Sequence, residues 1–129
     1  MINHGILNPQ ILSLLARVRH TNALVIADRG FPFWPMVETV DISLVDDVPT
    51  VMQVIAALRK NHNFTAAFMA KEFQKANFVH VQQKFAKTLR RIPTKFEPHA
   101  DLKKRVPSAI GLIRTGDTTQ YANTILISG

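Results

Sequence analysis

The sequence predicts an α/β fold: a single three-layer α/β/α domain spanning residues 1–129, built on a central, mostly parallel sheet of about five or six strands. Three observations predict it. Short apolar runs rich in β-branched residues alternate with amphipathic stretches through most of the chain, the pattern of a sheet covered on both faces. The run Ala23 to Ala27 is apolar at every position, as a strand buried on both sides must be. A length of 129 residues with 47% hydrophobic content supplies one core, and no repeat, low-complexity segment or linker divides the chain.

Asn8-Pro9 opens the first helix, because Asn caps and Pro is tolerated at the first helical position. Ile11, Leu12, Leu14, Leu15 and Val18 then form one broad apolar face through Arg19. The Ala23 to Ala27 strand follows, with His20 before it and Asp28 directly after it. Arg29-Gly30-Phe31-Pro32 must leave the sheet, and the prolines of Phe31-Pro32-Phe33-Trp34-Pro35 make a rigid aromatic loop. Val40, Ile42 and Leu44 alternate with Asp41 and Ser43, which predicts a half-buried strand. Asp47 and Pro49 announce a second helix with Met52, Ile55, Ala56 and Leu58 on its buried side. Phe64 to Ala70 is another short apolar strand. Residues 71–91 form the longest helical stretch, with a break near Asn77. Residues 95–97 are a weak strand ending at Pro98; His99 starts a short polar helix over 100–106, which Pro107 stops. Residues 109–114 read as a strand, 116–119 as a turn, and Thr124 to Ser128 as the last strand.

The chain has no cysteine, which excludes disulfides, thiolate metal sites and cysteine nucleophiles and permits a reducing cytosol. Met1-Ile2-Asn3-His4-Gly5 lacks the basic-then-apolar pattern of a leader, so the cytoplasm is the expected location. No apolar run approaches the ~20 residues of a membrane span. The net charge of +7 raises the question of a polyanion partner. Its densest cluster, Lys84, Lys87, Arg90 and Arg91, lies on one side of a helix whose other side carries Phe85, Leu89 and Ile92. That is the pattern of a solvated helix face, and most phenylalanines fall at core periodicity, so no nucleic-acid partner is expected.

Of the five histidines, His4, His20, His62, His80 and His99, none forms an i,i+4 pair or a His-Glu-x-x-His motif, and no metal site is predicted. No Gly-rich phosphate loop and no Gly-x-Ser-x-Gly elbow is present. Proton chemistry remains. His20 titrates near neutrality, and His99, Asp28 and Tyr121 are further acid–base or hydrogen-bonding candidates. A carboxylate at the end of a buried strand is a common place for function, but for each of these residues alone the plainer role stands ahead: a turn cap for Asp28, a helix cap for His99, an edge residue for Tyr121, a surface side chain for His20. His4, His62 and His80 read as structural.

Short segments in order carry a family resemblance over nearly the whole chain. They are Gly5-Ile6-Leu7-Asn8 and the helix behind it, His20 with its strand, and Asp28-Arg29-Gly30-Phe31-Pro32. Val40-Asp41-Ile42, Val48-Pro49, Met52-Gln53-Val54 and Pro98-His99 follow, then Ile113-Arg114-Thr115-Gly116-Asp117 and Tyr121-Ala122-Asn123. Together these resemble the D-ribose pyranase and L-fucose mutarotase family of small sugar mutarotases, nearest to its ribose branch. The resemblance implies an isomerase that interconverts pyranose and furanose forms, or anomers, of free D-ribose or a similar aldose, without cofactor or metal. It implies His20 as the general acid and Asp28, His99, Tyr121 and Asn123 as partners of the sugar hydroxyls, with Ala122 contributing through its backbone. It also implies a ring-shaped homo-oligomer, as family members often form decamers, with sites near subunit interfaces.

Arg29 departs from the small residue usual after the aspartate, and Phe31, Phe33 and Trp34 make the next loop bulky. These departures leave open which sugar is used, and they motivate the alternative of a non-catalytic sugar-binding or regulatory module with the same pocket. The stretch from His20 to Asp28 also poses a geometric problem. Eight steps of extended chain reach up to ~26 Å, far more than a monosaccharide. Either the chain bends around Thr21-Asn22, or the two residues come from neighbouring subunits.

Overall fold

The computed structural model describes residues 1–129. Its six strands are β1 (Ala23–Ala27), β2 (Thr39–Asp41), β3 (Phe64–Ala70), β4 (Thr94–Glu97), β5 (Gly111–Arg114) and β6 (Thr124–Ser128), and they lie in the order β2-β5-β1-β6-β3-β4. The β1·β5, β2·β5 and β3·β4 pairs are parallel, whereas β6 runs antiparallel to both β1 and β3. Five strands therefore share one direction and only β6 opposes them. The helices are α1 (Pro9–Arg17), α2 (Val51–Arg59), α3 (Lys71–Ala76), α4 (Val79–Thr88) and α5 (His99–Arg105), the last continued by a 3₁₀ turn at Val106–Ser108. No helix is long and apolar enough to cross a membrane.

The sheet is covered on both faces, as the continuous apolar run of β1 requires. Leu24 and Ile26 pack with α1, α2, α3 and α4 through Leu14, Ile55, Phe73 and Phe85. Val25 and Ala27 pack on the other side with Leu102, Val106, Phe31 and Val37. All four residues from Leu24 to Ala27 are fully buried. In β3 the pairing with β6 shifts register between Phe64 and Ala66. The extra residue explains why Phe64 and Ala67, three apart, share the face of the first cluster while strand alternation alone would separate them.

Helix ends follow local chemistry. Asn8 Oδ1 accepts from the Ile11 amide at 2.9 Å, and Pro9 takes the first position. The helix stops at Arg17, short of the expected Arg19, because Val18 is already extended. The cap of α2 is Thr50 rather than Asp47: Thr50 and Gln53 form a reciprocal capping box. The long stretch does break at Asn77, whose side-chain amide donates to the Phe73 carbonyl at 2.8 Å and to the Gln120 carbonyl at 2.9 Å.

The alternation from Val40 to Leu44 misleads. The strand ends at Asp41, whose Oδ1 accepts from the Ser43 amide at 2.9 Å and from its hydroxyl. That local turn competes with the ladder. The chain then folds into a small hairpin closed by Val45 and Val48, leaving Leu44 77% exposed.

Candidate active site

Strands β1 and β5 are parallel neighbours whose last residues, Ala27 and Arg114, are paired. Each is followed by a polar turn at the same edge of the sheet. Because β6 is antiparallel and Thr124 pairs with Ile26, Asn123 enters at that edge too. His99 follows β4, another strand of the same direction. The carboxyl ends of three strands and the amino end of a fourth thus converge, as in open α/β sheets generally. Between them lies a cleft of about 430 Å³ lined by Asp28, Arg29, Gly30, His99, Asp117, Tyr121 and Asn123, with residues 118–120 along its rim.

The position of Asp28 is strongly specified. Its amide donates to Asn123 Oδ1 at 2.8 Å, and Asn123 Nδ2 donates back to Asp28 Oδ2 at 3.2 Å. The Gly30 amide donates to Asp28 Oδ1 at 3.0 Å. Arg114 donates to the carbonyls of Asp28, Arg29 and Pro32, which braces the turn from beneath. Burial pushes the Asp28 carboxyl above the ordinary aspartate range, against the opposing pull of the Gly30 and Phe31 amides and Asn123; Asp117 adds to the rise. Asp28 thus holds its proton more readily than an ordinary aspartate.

His99 opens α5, and its amide donates to both oxygens of Glu72 at 3.1 Å, so α3 supplies the cap that Pro98 cannot. Its Nε2 is buried and has no hydrogen-bond partner, which is costly unless a ligand fills the place. Burial, then the nearby charge of Lys103, holds the ring below the ordinary imidazole value, with Glu72 and Asp28 pulling the other way. The ring is therefore neutral at pH 7, with one nitrogen to donate and one to accept. Tyr121 stands edge-on to it, ring centroids 5.1 Å apart. Tyr121 has φ of 56°, a backbone conformation that is rare and strained for an aromatic residue. The strain is maintained by the buried Ala122 and Asn123 that follow.

The turn after β5 is a packed element. Asp117 is buried, its Oδ2 accepting from the Val51 amide at the start of α2 and its Oδ1 from the Thr119 amide. Thr115 donates to the Ala27 carbonyl, tying the turn to β1. Gly116 lies against the carbonyls of Val45 and Val48, so an added Cβ has no room. Gly116→Ala is expected to displace the hairpin and to lower stability by about 1–3 kcal/mol, read as a fall in Tm.

The structure brings together four of the residues singled out from sequence: Asp28, His99, Tyr121 and Asn123. Ala122 does not line the cleft with its side chain, though its backbone runs between the lining residues Tyr121 and Asn123. That side chain is fully buried in the main core, and its carbonyl accepts from the Thr124 hydroxyl. Nor does one chain bring His20 there. Thr21 makes a bend with φ of 69°, but Asn22 and Thr21 both bond to Ser128 and return the chain to the ladder. The five residues of β1, about 16 Å of strand, separate exposed His20 from Asp28. Of the expected alternatives, a bend that closes the distance is not the one found. Gly30, Asp117 and residues 118–120 line the cleft without having been singled out as site residues, beside Arg29, which was noted as a departure; the signal was a second aspartate just past a second buried strand.

A mostly parallel α/β sheet with a polar cleft of paired hydrogen-bonding groups at its carboxyl edge defines a small-polyol type of site. The chain belongs to the RbsD / FucU transport protein family, whose model matches residues 1–129. It is 38% identical to D-ribose pyranase of Halalkalibacterium halodurans, covering 100% of this chain and 98% of that one. It is 35% identical to D-ribose pyranase of Geobacillus kaustophilus, over 100% and 94%. Bacillus subtilis RbsD complexed with D-ribose superimposes with a TM-score of 0.92 at 31% identity, over 100% of this chain and 98% of that one. The fucose mutarotase of Streptococcus pneumoniae, in complex with L-fucose, shares the fold, with a TM-score of 0.76 at 17% identity over 95% and 92%.

Proposed function

We propose that the whole chain, residues 1–129, acts as one cofactor-free mutarotase domain that interconverts the pyranose and furanose forms, or the anomers, of free D-ribose or a similar aldose. The observation that carries this reading is the cleft itself: a reluctant carboxylate, a neutral histidine with an orphaned ring nitrogen, a tyrosine and a locked asparagine face one small volume. Such a set matches a ring of hydroxyls and penalises an isomer that leaves one partner empty. The relatives named D-ribose pyranase support the choice of sugar.

The reaction moves two protons and one bond. A proton is delivered to the ring oxygen, the C–O bond of the hemiacetal breaks, and the anomeric hydroxyl gives up its proton as the carbonyl forms. Reclosure through another hydroxyl gives the furanose; reclosure on the other carbonyl face gives the other anomer. Asp28 takes the anomeric proton, helped by the desolvation that raises its basicity. His99, Tyr121 and Asn123 hold the remaining hydroxyls. His20, whose imidazole can both give and take a proton, delivers the proton, and it comes from a second copy of the chain.

The surface around the cleft supports that assembly. Phe78 and Val79 are exposed next to Asn77, which bonds to the rim residue Gln120. Leu44, Val45 and Val48 are exposed on the hairpin that Asp47 ties to Thr118. Phe33 and Met36 are exposed on the loop whose Phe31 touches His99. An apolar rim around a polar cleft is the anatomy of an interface. The protein is on this reading a cytoplasmic, ring-shaped homo-oligomer of the decameric kind. Phe78→Asp leaves the core untouched, and it is expected to reduce particle size in light scattering and to lower activity with it; a fully active monomer would refute the link.

Saturation-transfer NMR on ribose tests the function directly. Exchange between ring forms faster than in buffer is expected, and no acceleration across a panel of aldoses would sink the proposal. Calorimetric binding of ribose without acceleration would favour the second reading, a sugar-binding module, which the exposed Arg29 at the cleft mouth and its ion pair with Asp46 at 2.7 Å also suit.

A further inference from the structure

The positive charge of the chain is segregated. Residues 48–96 hold nine Lys and Arg and one acidic residue, Glu72, for a net +8, while the other residues sum to −1. Glu72 is already occupied by the His99 amide. Four of the nine cations, Arg59, Lys60, Lys87 and Arg90, converge with Ala56 and Thr88 on a concavity of about 430 Å³ between the last turns of α2 and α4. None of the four is in an ion pair; the salt bridges of the chain are at Arg17, Arg29, Lys104 and Arg105. The Arg59 guanidinium is held in place by the carbonyls of Thr88 and Arg90, the latter at 2.7 Å.

Cations at helix C-termini are ordinary, so magnitude decides. Two helix ends supply about −0.5 charge each, roughly −1 against four positive charges. About +3 is left uncompensated in one concavity. No acidic residue lines the concavity. No aromatic ring lines the site, so nothing there stacks a base. The volume is that of a small-molecule site. Strand β3 starts just after α2 and runs parallel to β1, so this site lies at the sheet edge opposite Asp28.

The geometry points to a second binding site: we propose that the concavity between α2 and α4 binds the polyphosphate chain of a small ligand carrying about three negative charges. Recognition is of the phosphates alone, and it does not compete with the sugar.

The test uses the full chain and sodium triphosphate in calorimetry, with sodium chloride at matched ionic strength as the control. One site per chain is expected, with affinity falling steeply as salt rises and with a rise in Tm. ATP should bind about as tightly as triphosphate, since no base contact is available. Lys60→Gln with Lys87→Gln, neither side chain making a hydrogen bond in the fold, should weaken binding by about tenfold or more while ribose exchange and the ligand-free Tm stay unchanged. The proposal is overturned if triphosphate gives no heat beyond the chloride control, if the double variant binds as wild type does, or if ATP or a single-stranded oligonucleotide binds far more tightly than triphosphate. Because ribose exchange is read separately, failure here is distinguishable from failure of the mutarotase reading.

Discussion

His20→Ala is expected to lower the ribose exchange rate about 10²–10⁴-fold, the range a positioned acid–base group supplies, without changing the fold. His20 is exposed, and no hydrogen bond ties its ring to the fold, so its removal costs little stability. The sharper form of the experiment mixes two inactive proteins. If His20 of one copy serves the cleft of its neighbour, a chain lacking His20 and a chain lacking Asp28 can make a complete site between them. In a heterologous ring each contact pairs unlike faces, and random reassembly of a 1:1 mixture should restore about a quarter of wild-type activity. A mixture as inactive as its components, with reassembly demonstrated by particle size, would rule out the shared site.

Asp28→Asn is the second large effect. Removing the proton acceptor while keeping the shape is expected to reduce exchange by about 10²–10⁴-fold, with weaker sugar binding as well because Asn123 loses its carboxylate partner. The pH dependence follows from the direction of the shift. Since burial raises the folded-state pKa of Asp28, activity should fail on acidification at a pH above that of an ordinary aspartate. A raised carboxyl favours the fold in its protonated form, and that contribution is lost as pH rises through the folded pKa. Relative to the Asn variant, the wild type should therefore gain stability as pH falls through that value, measured by thermal melts across pH. A gap that widens in the wild type's disfavour on acidification would contradict the assignment. His99 is held below the ordinary imidazole value, so it is neutral at pH 7.

Much of the architecture was legible because it is written in local chemistry. A run as apolar as Ala23 to Ala27 has few places to go except a sheet covered on both faces, and the polar turn after it marks the edge where a cleft forms. The break at Asn77 was visible as well. What was hidden depends on tertiary partners. Leu44 continues an alternation that a local Asp41–Ser43 turn cancels. Asp117 looks like any turn aspartate until α2 places the Val51 amide against it. Arg59 and Lys60 are far in sequence from Lys87 and Arg90, so the run on one helix read as a solvated face until α2 completed a concavity. Asp28, His99 and Tyr121 stood out by residue type, but only the family resemblance joined them with Asn123 into one site, since no spacing rule links residues whose proximity arises only where strands of different order share an edge.

One consequence concerns how the chain is made. Strand β6 follows every other strand in the chain, yet it lies between β1 and β3 in the sheet. A ribosome delivers residues in order, at a pace slow compared with local helix formation. Until Thr124 to Ser128 emerge, β1 with β5 and β2 forms one half-sheet and β3 with β4 another, each with a bare apolar edge. In a chain that lacks residues 124–128 no strand pairing joins the two half-sheets, and β6 supplies it in one step. Arrival of β6, rather than gradual growth of the sheet, is the event that joins the two half-sheets.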